Sequence, residues 1–190
     1  MQFAIKYLDD LKTALSGLDP AAIQQAISWM KEARDSGRMV FICGNGGSAA
    51  IASQMVTDIV KGASYGRQNR FKMIGLTDSV GIITAYANDV DYECIFAEQL
   101  RNFAQKGDVL LAISGSGNSR NVLRAVEYAN EIGCRTIALT SSAGGRLKDI
   151  ARLTLGVPSR HMGRLEDSFF VMTHIIAYAF MEEVDQTQIS

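Results

Sequence analysis

The chain has 190 residues with 19 basic and 20 acidic side chains, and 47% of its residues are apolar, which supports a globular domain with a sizeable core and excludes a disordered chain. The formal net charge of −1 provides no basic surface for a nucleic acid. No apolar run reaches the ~20 residues of a membrane span. From the charge we expect no nucleic-acid partner, and from the apolar runs no membrane partner.

The first elements are helical. Apolar residues at helical spacing predict helices over 3–17 and 20–36, and Asp19-Pro20 is typical of a capped first turn. After residue 38 the pattern changes to short, continuous apolar runs, which indicate strands buried on both faces. Such runs predict strands at 39–43, 72–76, 108–113, 136–139 and 153–157. The helices expected between and after them cover 49–61, 80–88, 92–105, 119–132, 144–151 and 166–183.

Strands that alternate with helices form an open, mainly parallel sheet covered by helices. We therefore predict an α/β fold with a five-stranded parallel sheet. Residues 1–190 form a single domain in this prediction, with a helical N-terminal arm over 1–36 and an α/β core over 37–190. The last helix is apolar on nearly all sides, so it is either central to the core or buried against another subunit. We favour the subunit interface.

Three of the predicted strands end in loops rich in glycine and hydroxyl side chains, at 44–48, 114–119 and 140–145. The loops hold seven (44, 46, 47, 115, 117, 144, 145) of the 17 glycines. Glycine lets a ligand approach the backbone amides, and the start of the following helix favours an anion. None of the loops has a Walker A lysine or the dinucleotide fingerprint, so they fit a small phosphate monoester better than a nucleotide. The alternative is that the glycines only make tight turns.

The segments GNGGSAA (44–50) and AISGSGNSRNV (112–122) resemble the phosphosugar-binding domains of the sugar isomerase (SIS) family. The whole chain is similar to its phosphoheptose isomerase branch, with further landmarks at Asn88-Asp89 and in RLEDSFFVMTH (164–174). The resemblance implies a sugar phosphate substrate and a homotetramer with active sites shared between subunits. It implies substrate contacts from Asn45, Gly46, Gly47, Ser48, Asn88, Asp89, Ser114, Gly115, Ser116, Ser119 and Glu166.

Aldose–ketose isomerisation moves a proton between adjacent carbons through an enediol, so it needs a base for carbon and an acid for oxygen. Helical spacing places Gln54, Asp58 and Lys61 on one polar stripe, for which a solvated helix face is the alternative interpretation. His174 lies in the most apolar helix, for which the alternative is a packed core histidine. The resemblance matches Asp58 to the family's catalytic Glu and His174 to its catalytic His.

The resemblance also concerns a metal. Some phosphoheptose isomerases bind zinc through two His, a Glu and a Gln, and the matching positions here are Gln54, Asp58, Glu166 and His174. One imidazole with two carboxylates is more oxygen-rich than the sites that zinc usually prefers. Two alternatives therefore remain: these four residues bind a divalent metal such as zinc, or the site contains no metal. We expect no nucleotide cofactor.

The compartment is indicated by two further features. Cys43, Cys94 and Cys134 are odd in number and lie in apolar runs, which is typical of buried free thiols rather than of disulfides or a zinc cluster. The first ten residues lack the basic-then-apolar layout of a signal peptide. We therefore expect a cytoplasmic protein.

The function that these features favour is phosphosugar isomerisation, and the resemblance implies conversion of sedoheptulose 7-phosphate to glycero-manno-heptose 7-phosphate for lipopolysaccharide heptose biosynthesis. Two alternatives remain. One is a non-catalytic adaptor, because a tetrameric relative in the family binds the bacterial replication initiator and the residues at 54 and 58 differ from the family's pattern. The other is a regulator that binds a sugar phosphate.

Overall fold

The computed structural model describes residues 1–183, and within this part of the chain no helix is long and apolar enough to cross a membrane. Residues 184–190 of the predicted core lie outside the described residues. The elements in chain order are α1 (Gln2–Ser16), α2 (Pro20–Asp35), β1 (Met39–Gly44), α3 (Gly47–Thr57), the π-helix Asp58–Gly62, β2 (Lys72–Gly75), α4 (Val80–Asp89), α5 (Ala97–Phe103), β3 (Val109–Ile113), α6 (Arg120–Glu131), β4 (Arg135–Ser141), α7 (Gly145–Ile150), β5 (Leu153–Val157) and α8 (Met162–Met181).

The strands form one sheet in the order β2-β1-β3-β4-β5, and all neighbours are parallel. This confirms the predicted five-stranded parallel sheet. The chain leaves β1 on one side to form β2 and then returns to the other side of β1 to form β3. The carboxyl ends of β1 and β3 therefore flank the switch point of the sheet, where ligands bind in open α/β folds.

Alternate residues of the central strands β1, β3 and β4 enter two separate cores. Val40 and Ile42 of β1 pack on the side of α1, α2, α3 and α8, whereas Phe41 and Cys43 pack on the side of α4 to α7. All four are fully buried, which explains the continuous apolar run. Helix α2 belongs to the predicted arm and packs directly on β1, β3 and β5. The division of the chain into an arm and a core stays a prediction.

The three cysteines are buried and free, as predicted. Burial raises the pKa of the Cys43 thiol to about 12 and that of the Cys134 thiol to about 11. Both thiols therefore stay protonated at neutral pH, where the thiolate is the reactive form. Cys43 lies immediately before the first glycine loop, but its thiol is not available for chemistry there.

Helix α8 begins at Met162, four residues before the predicted start. The Nδ1 atom of His161 accepts a hydrogen bond from the Arg164 amide at 3.5 Å and caps the first turn. Histidine is not among the usual capping residues, so this start carries no sequence signal. Glu166 consequently lies in the second turn of the helix instead of at its beginning.

The far end of α8 is tied to α2 by ion pairs. Glu183 lies 2.7 Å from both Arg34 and Lys31, and these two cations, Arg34 more strongly, lower the pKa of Glu183 to about 2. One side of α8 is part of the core, while Ile175 and Tyr178 on the other side are exposed. The predicted subunit interface on this helix stays a prediction.

Candidate active site

The first loop, residues 44–48, joins β1 to α3 at the switch point. Gly46 has a φ of +54°, and the space that a Cβ would occupy there is open. A Cβ on Gly47, in contrast, would overlap the carboxylate of Glu166. The glycine therefore lets Glu166 of α8 reach the start of α3. Ser48 is buried in the first turn of that helix.

The second loop, residues 114–119, joins β3 to α6 beside the first. The hydroxyls of Ser114 and Ser119 lie 3.2 Å apart. Ser119 is the N-cap residue of α6, yet its side chain makes no capping bond. A serine at this position usually bonds a backbone amide of the first turn. The Ser119 hydroxyl is therefore available to an anion at the helix start.

The remaining residues of the second loop hold its shape. Gly115 lies beneath Met162 of α8, where a Cβ would approach the Met162 sulfur to 2.8 Å. The Ser116 hydroxyl accepts a hydrogen bond from the Asn118 amide at 3.2 Å. The first turn of α8 thus covers the second loop. Since Glu166 of the same helix lies against Gly47, α8 contacts both loops.

The third loop, residues 140–145, supports the second loop instead of forming another open ligand site. Gly117 has a φ of +66° and packs against the Gly144 carbonyl so closely that a Cβ would overlap it. The Leu147 amide donates to the Gly117 carbonyl at 2.9 Å, and the Arg146 amide donates to Asn118 Oδ1 at 3.1 Å. The amides at the start of α7 are therefore occupied by protein groups. This corrects the expectation that the three loops are alike.

Asp58 and His174 meet between the end of α3 and the middle of α8. The Asp58 Oδ2 atom lies 3.5 Å from His174 Nε2. It is buried and has no hydrogen-bond partner among the described residues, whereas Oδ1 accepts a hydrogen bond from Gln54 Nε2 at 3.1 Å. A buried carboxylate oxygen without a donor is costly unless a ligand supplies one. This oxygen therefore has unfilled acceptor capacity beside His174.

The two side chains differ in their access to solvent. The side chain of His174 is 47% exposed, and that of Asp58 only 16%. The imidazole lies between the rings of Phe170 and Tyr178, with centroids 6.1 and 6.2 Å away. Within a single chain the imidazole is therefore exposed and not packed in the core. The pair presents an inner carboxylate and an outer imidazole.

Two site residues were missed by the sequence analysis. The Tyr92 hydroxyl donates to Asn45 Oδ1 at 3.0 Å, and the Asn121 side chain pairs with that of Asn45. Tyr92 lies in no motif, and Asn121 lies within the segment 112–122 that carries the family resemblance but was not singled out there. Asn88 and Asp89 are exposed at the end of α4, where Asn88 Nδ2 donates to Asp89 Oδ1 at 2.8 Å.

Comparison with known proteins identifies the family. Residues 5–141 match the family described as SIS domain. The chain belongs to the SIS domain family. Among SIS relatives, the phosphoheptose isomerase of Citrifermentans bemidjiense is 40% identical over 167 residues, which cover 88% of this chain and 86% of the relative.

Two solved SIS structures agree with this fold. The phosphoheptose isomerase from Francisella tularensis has a TM-score of 0.89 at 30% identity, covering 96% of this chain and 98% of its own. The phosphoheptose isomerase from Neisseria gonorrhoeae has a TM-score of 0.86 at 27% identity, covering 95% and 97%. The chain thus lies in the phosphoheptose isomerase branch of the SIS family, as the resemblance implies.

The residues matched to the zinc ligands of this SIS branch do not form a zinc site in this chain. Within residues 1–183 no group of three or more His, Cys, Asp or Glu side chains is arranged to hold a metal ion. Asp58 and His174 lie together, but Gln54 presents its amide nitrogen to Asp58, and Glu166 lies against Gly47. One carboxylate and one imidazole fall short of the four ligands of tetrahedral zinc.

Proposed function

We propose that the protein is an aldose–ketose isomerase that converts sedoheptulose 7-phosphate to glycero-manno-heptose 7-phosphate. The observation that carries this proposal is the contact of Asp58 with His174, in which Asp58 Oδ2 accepts no hydrogen bond from any residue that the structure describes and lies 3.5 Å from His174 Nε2. A base and an acid at this separation suit proton transfer to and from adjacent atoms of a bound sugar. The phosphoheptose isomerases that match this chain over most of its length support the choice of substrate.

We assign the phosphate of the substrate to the switch point between β1 and β3. Ser48, Ser114 and Ser119 supply hydroxyls there, and the starts of α3 and α6 favour a negative charge. Donors of this kind hold a phosphate without lysine or arginine. The proposal therefore agrees with a net charge of −1. It needs no nucleotide cofactor.

The reaction follows from the two titratable side chains. Asp58 takes a proton from carbon 1 of the ketose, and the electron pair of that bond forms the carbon–carbon double bond. Protonated His174 gives its proton to the oxygen on carbon 2, which yields the enediol. His174 then removes the proton from the oxygen on carbon 1, and Asp58 returns its proton to carbon 2. Both side chains end in their starting forms.

Further contacts belong to the same proposal. We assign Glu166 to the sugar hydroxyls, because its carboxylate lies against Gly47 in the first loop. Asn88 and Asp89 are assigned to the substrate on the family resemblance alone. We also propose a cytoplasmic homotetramer with shared active sites. The exposed Ile175 and Tyr178 on α8 support a surface that another subunit covers.

The test is to incubate the purified protein with sedoheptulose 7-phosphate and follow aldose formation by NMR, with and without EDTA and added divalent metals. We expect conversion at the same rate in all conditions, because the donor set around Asp58 is too small for a resident zinc. A rate that EDTA abolishes and zinc restores would contradict the metal-free chemistry.

The same experiment tests the non-catalytic alternatives. Absence of conversion for every six- and seven-carbon ketose phosphate would contradict the proposed isomerase. If inorganic phosphate nevertheless raised the melting temperature, the result would favour a sugar phosphate regulator. If phosphate had no effect either, the adaptor would be favoured.

A further inference from the structure

Asn121 is a buried polar residue in the first turn of α6, with an exposed fraction of 2%. Its side chain and that of Asn45 form a reciprocal amide pair. Asn45 Nδ2 donates to Asn121 Oδ1 at 2.9 Å, and Asn121 Nδ2 donates to Asn45 Oδ1 at 2.8 Å. Because Asn45 lies in the first loop and Asn121 directly follows the second, this pair joins the two loops across the switch point.

Asn121 also contributes to the cap of α6. Its Oδ1 atom accepts a second hydrogen bond, from the Val122 amide, at 2.9 Å. This amide is one of the donors at a helix start that have no partner within the helix, and the N-cap side chain usually satisfies it. The N-cap residue Ser119 does not do so. Asn121 thus takes over a bond that would otherwise occupy the Ser119 hydroxyl.

We propose that Asn121 is a positioning residue that preorganises the phosphate site. It fixes the distance between the two loops through Asn45, and it leaves the Ser119 hydroxyl without a capping bond, beside the Ser114 hydroxyl at 3.2 Å, where both can face the phosphate. Loops that are already ordered lose less conformational freedom when the ligand binds, so the affinity is higher. The inference rests on the proposed function only in that a phosphate group binds between these loops.

The chemistry of the position requires an amide. Asn121 uses its oxygen twice as an acceptor and its nitrogen once as a donor. An aspartate would lose the donor to Asn45 and add a negative charge beside the phosphate. An apolar residue would leave the Asn45 side chain without this partner and the Val122 amide unsatisfied.

The test compares Asn121→Ala with Asn130→Ala, a matched control on the same helix. The Asn130 side chain donates to the Ile150 carbonyl and accepts from Thr136 Oγ1, both at 2.8 Å, near the other end of α6. Both variants remove hydrogen bonds and should lower the melting temperature. Only Asn121→Ala should raise the Kd for inorganic phosphate and the KM for sedoheptulose 7-phosphate, by about tenfold, with a smaller change in kcat.

A double-mutant cycle with Asn45→Ala separates positioning from a merely structural role. If Asn121 acts through Asn45, the double variant should lose less phosphate affinity than the product of the two single losses. Multiplicative losses, or equal Kd values for Asn121→Ala and Asn130→Ala, would overturn the inference. A wild-type protein that binds phosphate but converts no sugar would contradict the proposed function alone. A wild-type protein that binds no phosphate would contradict both the inference on Asn121 and the proposed function.

Discussion

Replacement of Asp58 by asparagine should lower kcat for sedoheptulose 7-phosphate by at least ~10²-fold. The amide has the size of the carboxylate and still offers an oxygen to Gln54, which now bonds Asp58 Oδ1 at 3.1 Å. It cannot take a proton from carbon, so the loss should fall on kcat and only weakly on KM. Steady-state kinetics of the purified variant measure both.

Two further variants show whether the carboxylate itself matters. Asp58→Glu retains the acid and should keep a higher kcat than Asp58→Asn, although the added methylene shifts the base, and a shift of ~1 Å can itself lower the rate. Asp149→Asn, a change of the same type at an exposed position on α7, should leave the rate unchanged. A wild-type kcat in Asp58→Asn would refute the assignment of the carbon base.

Replacement of His174 by glutamine should also lower kcat by at least ~10²-fold. Glutamine can donate a hydrogen bond to the Asp58 carboxylate or to a sugar oxygen, but it cannot transfer a proton at neutral pH. The dependence of kcat on pH should therefore lose the limb that reports the imidazole. Rates measured from about pH 5 to 9 for the wild type and the variant test this.

The matched control is the only other histidine of the chain, His161. It caps the first turn of α8, so His161→Gln should lower stability while the pH profile of kcat stays that of the wild type. A His174→Gln variant whose pH profile matches that of the wild type would show that another group supplies the acid.

Most of the fold was predictable because the central strands β1, β3 and β4 are buried on both faces, and the edge strands β2 and β5 on one. All five strands lie where continuous apolar runs predicted them, and the helices with a clear apolar side also lie near their predicted positions. The predicted helix over 92–105 is wrong in its first part, since α5 begins at Ala97. Residues 91–96 form turns, in which the Cys94 thiol donates to the Asp91 carbonyl at 3.1 Å. The apolar residues of this segment are buried at a spacing that resembles that of a helix, which is why a helix was predicted there.

The π-helix was not predictable from periodicity. The predicted helix over 49–61 ends as an α-helix at Thr57 and continues as the π-helix Asp58–Gly62. The i→i+5 hydrogen bonds of a π-helix change which side chains share a face. Here Ile59 is fully buried, whereas Val60 is 44% exposed. The same turn begins at Asp58, the proposed base. A periodic pattern cannot show this change, because it assumes one spacing throughout.

The site itself was predictable only in part. Glycine and hydroxyl residues mark the ends of β1 and β3 in the sequence, and the structure brings them together at the switch point. The pairing of Asp58 with His174 spans more than half of the chain, and only the family resemblance pointed to it. The contact between Asn45 and Asn121 joins two loops through side-chain geometry, which leaves no pattern in the sequence.

Solvent exchange during turnover reports proton transfer by Asp58 and His174. Sedoheptulose 7-phosphate is converted in D2O, and the carbons next to the carbonyl are followed by NMR. Because Asp58 lies 3.5 Å from His174, whose side chain is 47% exposed, the proton that Asp58 takes from carbon 1 should exchange with water through His174 during turnover. We expect deuterium on carbon 2 of the aldose for the wild type, and conversion and exchange at least ~10²-fold slower for Asp58→Asn. Conversion without deuterium, or equal exchange in the variant, would contradict this assignment of the proton transfer.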